Sequence, residues 1–518
     1  MNIGLVNIFS FRPHVEHLYF LSTLLRKSGH ETFFLTCDSS VSNCYVRALK
    51  QSNKIQECSK CMIGGVRSYP VKEVTSLTAS NNKHKLPQEM LDEIAFSSAC
   101  TLNRIESDNE WSIPEVTSTR NSFHETISIT YNSALKWIED NSLDAVICFN
   151  GRMEMTRAII SACESKGIPY ITHERTWFGD GLTLIPNANC LSIRSLKKMV
   201  DDFDDKALTQ EQARYAAKLL SLRFLQQNDL EWRIYNQGAE SINWPLKTKG
   251  KKVLVLPSSR NESSGHAEWK SGWNDNTSAL DDLFEAFSIK PTNVVVRFHP
   301  NWAENIGMVS GDRPLQHYTN WAKSQGIYFI SSEEKANTYD LIQQADIVIL
   351  NGGSSAVEAG VCGKQVICLG PSSYDNSGFV RTFMNKDDLY KEGALTEVEP
   401  EIIMRKTLRY VYLRAKRYPQ FVDFVKAIKT TEYEYFDGAD PQKIIDLLKT
   451  GELEADDSDF SNNDLEENCV IELLKNKEWA LLSEYQPPER DLNGIALQRR
   501  FGLRWLDSFR AKLVRGDR

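Results

Sequence analysis

The sequence predicts an α/β protein of two Rossmann-like halves with parallel sheets, followed by a helical C-terminal appendage. Apolar runs suited to buried parallel strands alternate with helical patterns, and such a series begins twice, at Asn2–Ile8 and at Val253–Pro257. The chain has 518 residues, which is too long for one hydrophobic core. We therefore expect domains over 1–245 and 246–450 and an appendage over 451–518.

Composition limits the compartment and the partners. The net charge of −8 and the pI of about 5.8 argue against general nucleic-acid binding. No apolar run approaches the length of a membrane span, and Met1 leads directly into a strand pattern without a signal peptide. A cytoplasmic location is expected, and in that compartment the eleven cysteines are reduced thiols or metal ligands.

The N-terminal half opens with a strand, a helix and a second strand. The strand Asn2–Ile8 is followed by a helix over 12–29 and by the strand Thr32–Thr36. Because this opening lacks the fingerprint G-x-G-x-x-G, binding of NAD or FAD is not expected. His14 and His17 share one face of the helix and are interpreted as surface or packing residues.

Four cysteines follow within a short span: Cys37, Cys44, Cys58 and Cys61. The last pair forms a C-x-x-C, and four thiolates satisfy a closed, structural zinc site. The first pair is too widely spaced for a standard zinc-ribbon knuckle, so unrelated reduced thiols are the alternative. A closed zinc site would fix a loop and leave no position for substrate.

Polar residues follow two further buried strands of this half. Ala145–Phe149 leads into Asn150-Gly151-Arg152, and Pro169–Thr172 ends in His173-Glu174-Arg175. Ligands of open α/β sheets gather at the carboxyl ends of the strands. Glu174 and Asp180, the latter in Gly179-Asp180-Gly181, are the candidate functional carboxylates. The alternatives are an ion pair of Glu174 with a neighbouring arginine and a turn-forming Asp-Gly.

The second half repeats the pattern of strands with polar ends. Arg260 lies where the loop after Val253–Pro257 would face a cleft, and the strand Asn293–Phe298 ends in His299-Pro300. A His-Pro alone is weak evidence. Its place, about fifty residues before a Gly-Gly-Ser-Ser sequence in the same half, makes it informative.

The most informative segment is Tyr339–Gly370. After the buried strand Asp346–Leu350, Gly352-Gly353 form a turn where only small residues fit, and Ser354-Ser355 open a helix that carries Glu358. Hydroxyl groups and backbone N–H groups at a helix start suit an anionic phosphate, and Glu358 suits ribose hydroxyls. The alternative is an ordinary strand–helix connection with serine capping.

The segment ADIVILNGGSSAVEAGVCGKQVICLG, followed by PSSYDNSG, resembles the second half of a GT-B glycosyltransferase. More narrowly, it is similar to the capsule polysaccharide biosynthesis family, whose better-known members transfer Kdo from CMP-Kdo. The resemblance covers about 250–380 and, more patchily, about 140–195. It implies two facing domains, with the nucleotide-sugar donor in the C-terminal half and a saccharide or lipid-linked acceptor in the N-terminal half.

The resemblance also implies roles for individual residues. His299 would contact the nucleotide phosphate and assist its departure, and Glu174, together with the Asn-Gly-Arg, matches the family. Bacterial sialyltransferases carry an acid-acid-Gly motif whose acid is the catalytic base, and Asp180 with Gly181 matches only its second half. Glu174 or Asp180 would activate the acceptor hydroxyl, or act as nucleophile if configuration is retained. The expected donor-binding residues are Arg260, His299, Pro300, Gly352, Gly353, Ser354, Ser355 and Glu358, and the acceptor-side residues are Asn150, Arg152 and Arg175.

Three alternatives remain open at this point. A nucleotide-sugar 2-epimerase has the same fold and a similar Gly-Ser loop, and a polyol-phosphate transferase also uses a His-Pro and paired serines. A non-catalytic assembly subunit would bind nucleotide weakly or not at all. Because no paired-aspartate metal motif is evident, transfer without a catalytic metal or other cofactor is expected.

The net charge of the C-terminal region changes from negative to positive along the sequence. The acidic run Glu452–Glu467 contains no basic residue and predicts a solvated linker. Arg499–Arg518 interleaves arginines with apolar residues, which predicts a helix on an anionic membrane surface. The alternative is a helix packed on its own protein.

Overall fold

The computed structural model describes residues 1–78, 84–231, 238–488 and 491–505. Within them, the strands form two six-stranded sheets and one three-stranded sheet. The elements of the first half alternate as predicted. They are β1 (Asn2–Asn7), α1 (His14–Lys27), β2 (Glu31–Thr36), α2 (Tyr45–Lys50), α3 (Lys54–Gly64), β3 (Glu73–Ser76), α4 (Gln88–Asn103), α5 (Pro114–Asp140), β4 (Ala145–Phe149), α6 (Glu154–Lys166), β5 (Tyr170–Glu174), β6 (Thr183–Pro186), α7 (Arg194–Phe203) and α8 (Gln210–Phe224).

The second half contains the remaining strands and helices. They are β7 (Val253–Leu256), α9 (Asn276–Ala286), β8 (Val294–Arg297), α10 (Asp312–Gln325), β9 (Tyr328–Ile330), α11 (Thr338–Gln344), β10 (Ile347–Leu350), α12 (Ala356–Val361), β11 (Gln365–Leu369), β12 (Val380–Phe383), α13 (Lys386–Glu392), α14 (Pro400–Tyr412), β13 (Val425–Lys429), β14 (Glu432–Phe436), α15 (Gln442–Thr450), α16 (Asn468–Lys475), α17 (Trp479–Ser483) and β15 (Gly494–Ile495).

Both large sheets follow a doubly wound order. The first runs β3-β2-β1-β4-β5-β6, and all its pairings are parallel except that of β5 with β6. The second runs β12-β11-β10-β7-β8-β9 and is parallel throughout. The predicted architecture, two facing α/β units of the GT-B type, is therefore confirmed.

Alternation along the strands explains how each sheet is covered on both faces. In β7, Leu254 and Leu256 pack with α8, α12 and α14, whereas Val253 and Val255 pack with α9 and α10 on the opposite face. Successive side chains of a strand point to opposite faces, so a continuous apolar run fills two helical layers.

The two units exchange segments. Helices α7 and α8, which precede residue 245, pack in the core of the second sheet. Strands β13 and β14 and helix α15, which lie within 246–450, pack against α1 and the first sheet. Near the cleft, Arg104 donates from its two Nη atoms to the backbone oxygens of Asn301 and Glu304, each at 3.2 Å, and Asp108 lies 3.3 Å from Arg260. Residues 104–110 therefore join the two units.

The prediction of a solvated linker over the acidic run is wrong. Glu467 is fully buried, and its carboxylate accepts hydrogen bonds from Arg405 and Arg409 at 2.9–3.0 Å. Asp457 lies beside the hydroxyl of Tyr412 and the amide of Gln212. Basic partners on α14 hold the run against the second unit, and charge composition alone does not reveal such partners.

The start of the basic C-terminal segment packs on the first unit. Arg499 is 2% exposed and donates to the backbone oxygen of Ile63 at 3.1 Å, while Arg500 donates to the backbone oxygen of Tyr69 at 3.0 Å. Residues 506–518, which carry most of the predicted membrane helix, lie outside the described residues. Across the described ranges, no helix is both long and apolar enough to cross a membrane.

Candidate functional site

A cavity of about 360 Å³ lies where the carboxyl ends of β7, β8 and β10 meet segments of the first half. These three strands are neighbours in the second sheet, so the loops that follow them converge. The second unit contributes Ser258, Arg297, His299, Pro300, Gly353, Ser354, Ser355 and Glu358, and the first half contributes Thr176, Trp177, Arg223 and Glu231.

Gly353, Ser354 and Ser355 of the Gly-Gly-Ser-Ser segment form one wall of the cavity. The turn that brings them there depends on its glycines. Gly352 has φ +89°, a conformation that favours glycine. A Cβ on Gly353 would lie 2.7 Å from the hydroxyl of Ser258, so a side chain there would force that hydroxyl to move. Asn351 ties the loops of these two residues by accepting from the backbone N–H of Ser258 and donating to its carbonyl, both at 2.8 Å.

Arg297 is a cavity residue that the sequence interpretation missed. It ends β8 and is 4% exposed, and its guanidinium donates to the backbone carbonyls of Ser331 and Glu334 rather than to a carboxylate. Its Nε is buried with no hydrogen-bond partner in the described part of the chain. Burial lowers the pKa of the side chain, and the charge of Glu334 partly offsets this. A buried cation without a carboxylate partner suits an anionic ligand. The signal was available, since Arg297 lies two residues before the His-Pro.

His299 faces the same cavity from the start of the next loop. Its Nδ1 accepts from the backbone N–H of Asn301 at 3.2 Å, so in the neutral ring the proton lies on Nε2. This hydrogen bond fixes the ring at the mouth of the β8 loop. His299 and Arg297 together form the basic side of the cavity.

Glu358 provides an acceptor deep in the cavity. It is 2% exposed, and its Oε1 accepts from Arg223 Nη1 at 2.8 Å. Its Oε2 is buried and makes no regular hydrogen bond to the described residues, although the hydroxyl of Tyr339 interacts with this carboxylate. Burial raises the pKa of the carboxyl, and Arg223 and Tyr339 oppose that rise. Arg223, itself 2% exposed, also pairs with Glu231. A buried carboxylate in the cavity wall suits the hydroxyl group of a ligand.

The first unit brings Glu174 and Asn150 together at adjacent strand ends. Asn150 Nδ2 donates to Glu174 Oε2 at 3.0 Å, and the backbone N–H of Arg175 donates to Oε1 at 3.1 Å. Burial raises the pKa of Glu174. Arg152 does not pair with it directly, because its guanidinium donates to the hydroxyls of Ser97 and Thr101. Glu174 lies just before Thr176, a residue of the cavity wall.

Three other candidates lie away from the cavity. Asp180 forms an ion pair with Lys426 at 3.0 Å and accepts from the backbone N–H of Ala427, so it anchors β13. Arg260 pairs with Asp108 in the junction between the units. A side chain on Gly352 would point toward Trp269. Of the two carboxylates proposed from sequence, the geometry therefore favours Glu174.

The four N-terminal cysteines line one small cavity behind β1. All four are free thiols, and burial raises the pKa of Cys37 to about 11 and also that of Cys61. Among the described residues, no three histidine, cysteine or acidic side chains are grouped as ligands of a metal ion. Structural zinc stays a prediction, which elemental analysis of protein purified without chelator would decide.

The chain matches no protein-family model and no curated protein. Solved structures similar to it include the KpsC β-Kdo 2,4 transferase of Thermosulfurimonas dismutans, with 15% identity over 60% of this chain and 87% of that chain and a TM-score of 0.34. The UDP-GlcNAc 2-epimerase of Neisseria meningitidis, solved with UDP-GlcNAc, shares 12% identity over 87% and 100% of the two chains, with a TM-score of 0.28. Acinetobacter baumannii MurG shares 11% over 87% and 100%, with a TM-score of 0.27. These values are low, and what the cleft can bind follows from its own residues.

Proposed function

We propose that this chain is a glycosyltransferase that binds a nucleotide-sugar in the cavity of the second unit and transfers the sugar to an acceptor held by the first unit. The observation that carries the proposal is the presence, in the wall of one cavity, of the buried cation Arg297 and the buried carboxylate Glu358. Neither Arg297 Nε nor Glu358 Oε2 makes a regular hydrogen bond to the part of the chain that the structure describes. A nucleotide offers the complement of each, a phosphate and ribose hydroxyls.

Each group has a defined part in the transfer. Arg297 and His299 would neutralise the phosphate as its bond to the anomeric carbon breaks, with Ser354 and Ser355 beside them. Glu174 would accept the proton of the acceptor hydroxyl while the oxygen of that hydroxyl bonds to the anomeric carbon. If configuration is retained, Glu174 would instead form the covalent intermediate. The raised pKa of Glu174 suits a base.

The finer identity of the substrates rests on the sequence resemblance. The capsule polysaccharide biosynthesis family suggests Kdo or a related acidic sugar on a CMP donor, with a surface polysaccharide or glycolipid as acceptor. An inner-membrane acceptor would agree with a cytoplasmic enzyme that binds peripherally to the membrane. Cofactor-independent transfer is part of the same proposal.

A 2-epimerase is the second candidate, because Glu231 lines the donor cavity itself. A carboxylate there could act on the bound sugar without any second substrate. Donor turnover in the absence of acceptor separates the two reactions. An epimerase needs no acceptor to yield a new nucleotide-sugar, whereas a transferase releases nucleotide only when an acceptor, or water in its place, takes the sugar.

Calorimetry against CMP, CDP, UDP and GDP tests the donor site. We expect one of these nucleotides to bind with a stoichiometry near one, and Glu358→Gln to weaken that binding while leaving the melting temperature close to that of the wild type. Ser372→Ala, whose side chain lies buried outside the cavity, is the matched control. Failure of all four nucleotides to bind would favour a non-catalytic subunit.

A further inference from the structure

His14, at the first turn of α1, meets the carboxylate of Glu174 across the end of the first sheet. Strands β1 and β5 flank β4, so the residues that follow them converge at one edge. His14 Nε2 lies 3.3 Å from Glu174 Oε1. His14 is 7% exposed, so it is a packing residue rather than a surface one, and its ring lies 4.0 Å from that of Phe149, centroid to centroid.

We propose that His14 is a neutral positioning residue for Glu174, which donates from Nε2 and holds the carboxylate with Oε2 directed to the acceptor hydroxyl. The inference rests on the proposed function for its catalytic meaning. Its structural content, one fixed tautomer of His14 bonded to an ionised Glu174, stands independently of the reaction.

The distribution of hydrogen bonds assigns the two carboxylate oxygens different parts. Among the described residues, Oε1 accepts from the backbone N–H of Arg175 and lies 3.3 Å from His14 Nε2, whereas Oε2 accepts from Asn150. A carboxylate oxygen has two lone pairs, so Oε2 retains one acceptor position. The Glu174 side chain is 29% exposed, which leaves room for a hydroxyl to approach.

The tautomer follows from the surroundings of the ring. His14 Nδ1 is buried with no hydrogen-bond partner among the described residues. A proton on Nδ1 would therefore be a buried donor without an acceptor, and the bare Nε2 would face a carboxylate oxygen. A proton on Nε2 removes both conflicts.

Burial and three neighbouring groups disfavour the cationic form of His14, against the opposing charge of the Glu174 carboxylate 3.3 Å away. Burial is the main cause that lowers its pKa, and His173 on β5, His17 on α1 and Arg175 add to the effect. His173 and His17 are themselves fully buried, with lowered pKa values. The imidazole thus acts as a fixed donor, and the proton taken from the acceptor stays on Glu174.

Two replacements of His14 show whether it acts as a hydrogen-bond donor or as a group that takes up and releases a proton. The amide of His14→Gln can still donate toward Glu174 but does not titrate, whereas His14→Leu removes the donor. We expect His14→Leu to lower kcat for nucleotide release roughly ten- to hundredfold, as for one hydrogen bond to a charged group, with the donor KM unchanged. His14→Gln should restore most of kcat, and His124→Leu, a partly exposed control on α5, should match the wild type.

A second measurement does not depend on turnover. The chain has nine histidines, so ring-nitrogen NMR of histidine-labelled full-length protein is tractable, and His14→Gln assigns the signal by its loss. We expect one proton on Nε2 and none on Nδ1, unchanged between about pH 5 and about pH 8. CMP-Kdo and UDP-GlcNAc serve as the donor probes for the kinetic arm, and water takes the sugar in these assays.

The two arms distinguish the failure of this inference from that of the proposed function. A His14 signal from an Nδ1-protonated ring or an imidazolium would overturn the inference, as would a His14→Leu enzyme with wild-type kcat or a His14→Gln enzyme as slow as His14→Leu. A wild-type protein that turns over neither donor would count against the proposed function, while the NMR result would still decide the state of His14.

Discussion

Two buried side chains of the cavity, Arg297 and Glu358, each have one polar atom that makes no regular hydrogen bond within the described ranges. An unmade hydrogen bond in the interior costs free energy, so a folded chain retains such groups only where something else satisfies them. Water satisfies them in the free protein if it enters, and a ligand of opposite polarity satisfies them better. Their proximity in one cavity makes a ligand with both a phosphate and hydroxyls the natural complement.

Replacing Arg297 tests its proposed contact with the phosphate. Arg297→Met keeps much of the aliphatic volume and removes the guanidinium, so we expect nucleotide affinity to fall by about 1.5–3 kcal/mol, the worth of a charge-assisted hydrogen bond. Calorimetry with the nucleotide that binds best provides the measurement. Arg381→Met, a partly exposed arginine paired with Glu392, is the control, and equal affinities in both variants would contradict the assignment.

At the scale of elements, the segment 104–110 joins the units through one unusual carboxyl. Glu106 is 1% exposed and accepts from the backbone N–H of Arg260 at 3.4 Å. Burial raises its pKa from the ordinary 4.5 to about 8. The folded state therefore holds this proton where the unfolded chain has lost it.

The raised pKa of Glu106 makes the free energy of unfolding depend on pH. The contribution of Glu106 to the free energy of unfolding is fully present below about pH 4.5 and is lost as the pH rises through about 8, at about 1.4 kcal/mol per unit of pKa difference. We expect Glu106→Gln to flatten this loss, because glutamine does not ionise. Denaturation curves between these pH values would show it, and parallel declines in both proteins would contradict the assignment.

Strands and glycine turns could be predicted from the sequence, because an apolar run and a Gly-Gly pair act locally. The strand Asp346–Leu350 and its turn appear where expected. Partners distant in sequence could not be predicted in this way. Arg223 reaches Glu358 across 135 positions, and Glu467 is buried by two arginines of α14. The residue types show that these side chains are charged, but they do not show which distant residues will lie next to them.

At the scale of the whole molecule, the C-terminal segment presents large apolar side chains to solvent. Phe501 is 85% exposed and Trp505 61% exposed, close to where Arg499 and Arg500 attach the segment to the first unit. The sequence that follows contains Arg510, Lys512, Arg515 and Arg518. Aromatic groups beside basic residues suit an anionic lipid surface.

A truncation after Trp505 tests membrane binding without removing the buried Arg499. We expect the full chain to bind anionic liposomes in a salt-sensitive manner, with each basic residue contributing about 1 kcal/mol near the surface, and the truncated chain to lose most of this affinity. Nucleotide binding and melting temperature should be unchanged. A full chain that ignores anionic liposomes at low salt would contradict the prediction.

The exchange of segments between the units decides how the chain can be divided. A break near residue 245 would give an N-terminal fragment that carries α7 and α8 without the sheet they cover, and a C-terminal fragment that carries β13, β14 and α15 without theirs. Each fragment would expose a broad apolar surface and aggregate when expressed by itself. Expressed together, the two would complement one another, so a protease nick at this point should leave an assembly that elutes as intact protein until denaturant separates it.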